Sequence, residues 1–533
     1  DSWRDLANAF TNEKSLFLLS SANQRSLAQT LVLSASGLRN SEAANQYVKG
    51  LMGHMTTYLV ELSNRSDLKS VAHQPDIIMS VSCLLERLRG AAAAAGPRRQ
   101  RAMYEIGISV MNPVLLLLEV YKDESAVVYL LLKFVVDWVD GQISYLESRE
   151  TASVIDFCMR LLQLYSSHNI GKISISLSST LLSEAKTEKY KDLRALLQLL
   201  SSLCSKDLVD FSSDSIEATG INISQVVFFG LHIVTPLISL ELLKYPKLCH
   251  DYFSLLSHIV EVYPETLAQL NSEAFAHIIG TLDFGLHHQD LEVVSTCLGA
   301  LKALAAYNYR EICAGKTGLV SAGHGNSPEG IFSQFLRSLL QLLLFEDYSP
   351  DLVSAAADAL LPLILCEQGL YQNSALAKYE HSHVIALLLL QKLGNELIER
   401  QTNPALKSRL ANALHSLTSS NHLAFRLDRV NYQRFRKNLN SFLVEVRGID
   451  RTRGMTGFDF AGLFSTPMGR WKHHILWFGV GRTVVLHQFA VGFGLLQATF
   501  KLLGLVIVHL YLWEYLSWSK LSLLMLITPI VEG

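Results

Sequence analysis

The chain has 533 residues, 49% of them hydrophobic and 18% charged, which is enough apolar material for a large core or for one drawn out along a solenoid. Its 46 basic and 48 acidic residues leave a formal net charge of -2, so no whole-chain field favours nucleic acid or a membrane surface. Any charged partner must be read by local patches.

The seven cysteines (Cys83, Cys158, Cys204, Cys249, Cys297, Cys313 and Cys366) are scattered through mostly apolar runs, with no CxxC pair. They are expected to be reduced core residues of an intracellular protein, since a structural zinc site needs four donors at close paired spacing. The chain opens on Asp1, and the first stretch has no basic region followed by an apolar run and a cleavage site. No secretory signal is expected, and the chain reads as a fragment.

From the start to about Arg447 the apolar residues recur with helical period, and alternating β-branched runs are scarce. Between Ser41 and Asn64 the stripe is Ala44, Tyr47, Val48, Leu51, Met55, Tyr58, Leu59 and Leu62, with Ser41 as the expected N-cap. Asp290 caps a helix whose stripe is Leu291, Val294, Leu298 and Leu301. Ser349-Pro350-Asp351 opens another, with a hydroxyl acceptor, a first-turn proline and a carboxylate set against the helix dipole. Pro362 lies inside that last run, where a kink or an early stop is expected.

Helix starts near Pro246, Asp290 and Ile331 are spaced by roughly forty residues, the length of a helix pair in HEAT and armadillo repeats. One globular bundle would need about twenty helices around a single core, beyond what a core supports. The expected fold is therefore all-α, a HEAT/armadillo-type right-handed α-solenoid over residues 1–448. Three stretches look like exposed connections: Gly90 to Arg101, Lys206 to Asn222, and Gly315 to Gly330. Beyond Ile449 a divergent hydrophobic C-terminal tail, 449–533, carries Trp471, Trp477, Trp513 and Trp518. From Thr483 to Val531 only Lys501, Glu514 and Lys520 are charged, and the uncharged runs there are at the short limit for a membrane span.

No motif carries enzymatic chemistry. Gly315-Lys316-Thr317 resembles the end of a phosphate-binding loop, but Arg310 stands where its first glycine belongs. His287-His288 lacks a third metal ligand nearby, and no GxSxG context appears. Arg87, Arg89, Arg98, Arg99 and Arg101 flank the pentad Ala91 to Ala95; a solvated inter-helix loop is favoured there over a nucleic-acid or localisation patch. In the helix from Leu427 to Arg447 the stripe is Tyr432, Phe435, Leu439, Phe442 and Val446. Arg429, Arg434, Arg436 and Lys437 lie on its flanks and opposite face, either as a solvated face or as contacts for an acidic partner.

Longer stretches carry a family resemblance. Glu261-Val262-Tyr263-Pro264-Glu265-Thr266, Ala274-Phe275-Ala276-His277 and Thr281 to Leu286 resemble the exportin-4 family of the importin-β superfamily, and the resemblance extends from residue 1 to about 448. Phe335 to Leu340, Leu344 to Leu352 and Asp428 to Lys437 strengthen it. It implies a nuclear transport receptor that binds protein cargo with Ran-GTP and uses no cofactor, shuttling between nucleus and cytoplasm through contacts with nuclear pore proteins. The family's cargo includes a hypusine-containing translation factor, and some members also import proteins.

The matched part corresponds to the later portion of such a receptor. Much of the superfamily's Ran surface lies in earlier repeats, so residues 1–448 alone are expected to fold but to bind Ran-GTP weakly or not at all. Two departures stand out: Asn373 to Gln391 looks inserted, as a protruding loop or added helix, and the similarity stops after Gly448. Translated noncoding sequence or an alternative splice form would explain both and make the apparent membrane spans incidental; a membrane anchor is the other reading. A cytoplasmic scaffold of the same architecture, without Ran dependence, is the alternative function.

Overall fold

The computed structural model describes residues 2–11, 19–176, 189–209, 222–238, 242–270, 272–316, 318–319, 331–345, 349–373, 403–419 and 427–450, with 395 and 398–399 between them. They all fall in one compact unit, Asp1–Gly454, and no strand occurs among them. The proposed insertion beyond Asn373 and the tail beyond Asp450 lie outside the described residues.

In chain order the long helices begin with α1 (Ser2–Thr11), α2 (Ser21–Ser34), α3 (Ser41–Ser63), α4 (Pro75–Ala93), α5 (Gln100–Val120), α6 (Ser125–Gln142), α7 (Ser148–Ser176) and α8 (Lys189–Val209). They continue with α9 (Ile223–Val234), α10 (Pro246–Val262), α11 (Ser272–Leu286), α12 (Leu291–Cys313), α13 (Ile331–Phe345), α14 (Pro350–Asn373), α15 (Pro404–Ser419) and α16 (Arg429–Asp450).

Each even-numbered helix packs on the next even one, from α2 through to α16. The odd helices form a second row, in which α1, α3, α5, α7 and α9 pack in succession. Two rows of alternating helices are the defining arrangement of an α-solenoid, and the all-α solenoid expected from the sequence is what the chain forms. The core follows from this. α6, between α4 and α8 in its own row and against α5 across it, buries Val127, Val128, Leu131, Leu132, Phe134, Val135 and Trp138, an apolar surface too wide for a free amphipathic helix.

Local signals position the helices, with some differences from expectation. The cap of α3 is Asn40 rather than Ser41: with its backbone extended, the Asn40 carboxamide oxygen accepts from the Ala43 amide at 2.7 Å. Asp290 does cap α12, accepting from the Glu292 amide at 3.0 Å. Ser349 holds the Leu352 amide at the start of α14. Pro362 does not stop α14, and Pro113 likewise sits inside α5. The missing N–H at Pro362 leaves the Asp358 carbonyl without its helical donor, yet Leu360, Leu361, Leu363 and Ile364 around it are all buried, and packing keeps the helix continuous. Pro246 and Leu291 begin successive even helices, whereas Ile331 begins the odd helix between α12 and α14.

The connection expected from Gly90 to Arg101 is confined to 94–99 between α4 and α5, with Pro97 and Arg98 exposed, and much of the stretch is covered. Gly90, Ala91, Ala92 and Ala94 are buried, and so are Arg87, Arg89 and Arg99. Arg99 donates to the Ala94 carbonyl at 2.9 Å and to the Ser36 hydroxyl, Arg98 donates to the Ser36 carbonyl at 3.2 Å, and Arg101 pairs with Glu105 and Glu150. These arginines tie neighbouring turns together because the alanines between them let the turns approach closely. Lys206 is also buried, donating to the Leu146 carbonyl at 2.9 Å.

α5 is the one described helix long and apolar enough to cross a membrane. It packs against α3, α6 and α7 and buries Met103, Ile106, Val110, Val114 and Leu117, as a core helix does.

Candidate functional site

Polar contacts cross every interface of the even row. Arg25 on α2 reaches Glu86 on α4 at 3.4 Å, and Arg89, beside Glu86 at 3.1 Å, reaches Asp137 on α6 at 2.9 Å. On α6, Lys133 pairs with Asp137 and donates to Gln198 of α8 at 2.8 Å. From α8, Arg194 pairs with Asp251 of α10 at 2.7 Å, and Gln198 donates to the same carboxylate at 3.2 Å. His250 of α10 meets Asp290 at 2.7 Å and Glu292 at 3.3 Å, at the start of α12. Asp358 of α14 then joins Lys302 of α12, at 2.9 Å, to Arg436 of α16, at 2.5 Å.

The electrostatics follow from burial and partner. Burial pulls the Asp358 carboxyl towards protonation, but Arg436 and Lys302 together outweigh it and hold its pKa below the usual carboxylate range. The hydrogen bond to Asp290 raises the His250 pKa, and His250 in turn lowers that of Asp290. The Lys302 ammonium also lies 4.8 Å from the centre of the Tyr432 ring on α16.

A cavity of about 250 Å³ opens among α6, α8 and α10, lined by Lys133, Asp137, Asp140, Gln198, Ser202 and Asp251 among others. Asp137 and Asp251 are already matched by Arg89, Lys133 and Arg194. Asp140 is exposed, and its contact there is the Ser202 hydroxyl, which donates at 3.0 Å. The cavity therefore offers a carboxylate to an incoming cation beside amide and hydroxyl groups.

The four cationic residues singled out on α16 separate. Arg436 turns to Asp358, while Arg429, Arg434 and Lys437 lie exposed on α16 with no ion pair among the described residues. Gly315-Lys316 ends α12: Gly315 sits at φ 77°, the Lys316 amide returns to the Glu311 carbonyl at 2.9 Å, and the Lys316 ammonium pairs with Glu311. Of the histidine pair, His287 bonds the Asp283 carbonyl and His288 accepts from the Asp290 amide. Among the described residues no group of His, Cys, Asp or Glu is arranged to hold a metal ion. The cross-helix rungs escaped sequence reasoning because each joins a charged residue on a mostly apolar helix to a polar or charged group forty or more positions away.

A model of the family described as Exportin-4 matches residues 1–451. The Exportin-4 of Dictyostelium discoideum is 24% identical over 415 residues, which is 76% of this chain and 32% of that relative. The chain thus spans about a third of the length of the curated relative it matches. Since the family match runs the length of both helical rows, the chain belongs to the exportin-4 family.

Proposed function

We propose that this chain is a cargo-holding portion of a nuclear export receptor of the importin-β type, which takes up protein cargo with Ran-GTP in the nucleus and gives both up after hydrolysis in the cytoplasm. The family match over residues 1–451 carries this reading. The even row supplies a physical basis. Solenoid helices touch only their neighbours, so a small rotation at one interface shifts the next, and polar rungs at each even interface make those shifts directional. Cargo and Ran bound at different stretches then favour the same curvature and raise each other's affinity.

The cavity beside Asp140 suits a cationic cargo side chain, such as a lysine or the hypusine of a translation factor. Passage through the pore would use contacts with nuclear pore proteins, and neither a cofactor nor nucleic acid has a role.

The test passes Ran locked in its GTP or GDP form over the immobilised chain, with and without cargo. Weak retention, selective for the GTP form and increased by cargo, is expected. Equal retention of both forms, or retention of the GTP form that cargo does not increase, overturns the Ran-coupled reading and leaves a scaffold of the same architecture.

A further inference from the structure

α16 buries Phe435, Leu439, Phe442 and Leu443, and it packs on α13, α14 and α15. Its opposite face carries two exposed valines among polar side chains. Val430 and Val444 are each 60% exposed. Lys437 lies midway between them, so the three recur every seventh residue, with Gln433 and Asn440 three positions after Val430 and Lys437. These are the a and d spacings of a heptad, about 21 Å long at 1.5 Å per residue, with valine at the two outer a positions and polar side chains at the other three.

The flanks of this seam are one-signed. Arg429 and Arg436 precede seam positions by one residue, and Arg434 follows one; these are the places from which coiled-coil helices make ion pairs with a partner. From Arg429 to Val444 the helix contains no carboxylate. Arg436 is held by Asp358, which leaves Arg429, Arg434 and Lys437 facing outwards.

We infer that the outer face of α16 is a docking seam for an acidic amphipathic helix of a partner protein. The valines give such a helix an apolar footing, Lys437 and Asn440 restrict its register, and carboxylates on its flanks meet Arg429 and Arg434. A second copy of the chain would set arginine against arginine, a mismatch that argues against self-pairing. A phosphate backbone would use the cations but gain nothing from valines at heptad spacing.

The experiment measures fluorescence anisotropy of a labelled synthetic helix, about three heptads long with leucine at its seam and glutamate on its flanks, titrated with the full chain. Binding that weakens with salt is expected. Val430→Asp combined with Val444→Asp should weaken it by about tenfold or more, and Lys437→Glu should do the same. All three positions are exposed, so the melting temperature should not change. A lysine-flanked helix, and a glutamate peptide of the same composition with scrambled order, should not bind. Equal binding of the scrambled peptide, or no effect of the paired valine changes, overturns the inference. So does sedimentation showing a dimer that the valine changes dissociate, which assigns the face to a second copy. Binding to phosphatidylserine vesicles that is lost with the valines assigns it to a lipid surface and overturns the inference too.

Discussion

The two rows of helices use ion pairs differently. In the even row the best-covered pairs sit between closely packed helices: the side chain of Arg89 is 7% exposed, and those of Glu86 and Asp358 are each 10% exposed, although partners such as Arg25, Lys302 and Arg436 remain partly exposed. In the odd row the pairs lie on the surface, where Arg101 bridges α5 to Glu150 of α7 with its side chain 61% exposed. Lys49 of α3 meets Glu105 of α5 under similar exposure. The odd helices after α9 also pack mainly on even ones, α11 on α12, α13 on α14 and α15 on α16. Continuity along the solenoid therefore rests on the even row, and the odd row braces it.

Breaking a buried rung should produce the largest effect. Arg89→Ala leaves Glu86 and Asp137 facing one another across α4 and α6 with only Arg25 and Lys133 to offset them. A loss of about 3 kcal/mol is expected, because an uncompensated buried carboxylate costs more than the pair contributes. Urea unfolding measures the loss, and hydrogen exchange should place the loosening in α4 and α6. Replacing Glu86, Arg89 and Asp137 together by apolar residues of similar volume should restore most of the stability. If Arg89→Ala costs less than about 1 kcal/mol, the rung is effectively solvated and the contrast between rows fails.

The joint between the rows comes next. On α5, a Cβ added at Gly107 would lie 2.0 Å from the Trp138 ring of α6, whose indole N–H donates to the Met103 carbonyl at 2.9 Å. Gly107→Ala should cost about 2 kcal/mol, with overpacking outweighing alanine's helix preference of roughly 1 kcal/mol. Trp138 fluorescence should shift towards the red. Gly50→Ala on α3 meets open space and should instead stabilise by up to about 1 kcal/mol. Equal responses at the two glycines would show that the rows do not interlock at Trp138.

How much of this was legible follows from the same packing. The helices, the stripe of α3 and the caps at Asp290 and Ser349 could be read because they depend on neighbours in sequence. The early stop allowed for at Pro362 does not occur, because a buried helix tolerates a lost hydrogen bond when packing fixes it on several sides. The arginines around Ala91 to Ala95 misled because charge and glycine ordinarily mark a loop, while here small residues let two turns close over them. Of the candidate contacts on α16, the sequence placed Arg429, Arg434 and Lys437 away from the stripe but could not show that Arg436 reaches Asp358, 78 positions earlier.

One rung of the even row can be switched off by pH. Both ring nitrogens of His250 face carboxylates, Asp290 and Glu292, and the Asp290 hydrogen bond raises its pKa above the ordinary 6.5. The stabilisation from protonated His250 is therefore full below about pH 6.5 and lost as pH rises through the raised folded value. Burial acts oppositely on His258 and His277, lowering their pKa, so their contribution is full above about pH 6.5 and lost as pH falls through their lowered folded values. Cys249 and His288 also adjoin the rung. The Cys249 thiol is pushed up to about 11 by burial, and His288 accepts from the Asp290 amide. Comparing the chain with His250→Gln isolates this rung. The variant should melt lower at about pH 6, by the equivalent of ~1 kcal/mol or less given the exposure of Glu292, and the gap should close near pH 8. A gap that stays constant with pH would mean His250 contributes packing rather than charge.

The smallest expected effect lies at Arg101, and it makes the comparison of rows quantitative. Arg101 matches Arg89 in residue type and in partners: each has one carboxylate on its own helix, Glu105 or Glu86, and one on a neighbouring helix of its row, Glu150 or Asp137. The two differ in burial. Water already solvates the Arg101 guanidinium and Glu105, and Glu150 is only partly covered, so removing Arg101 exposes little that was not exposed before. Arg101→Ala should cost below about 1 kcal/mol, and that loss should shrink further in high salt, where surface charges are screened. The Arg89→Ala loss should barely respond to salt, because the low-dielectric interface excludes the screening ions. Equal losses at the two positions, or equal salt dependence, would mean that burial does not set the difference between the rows.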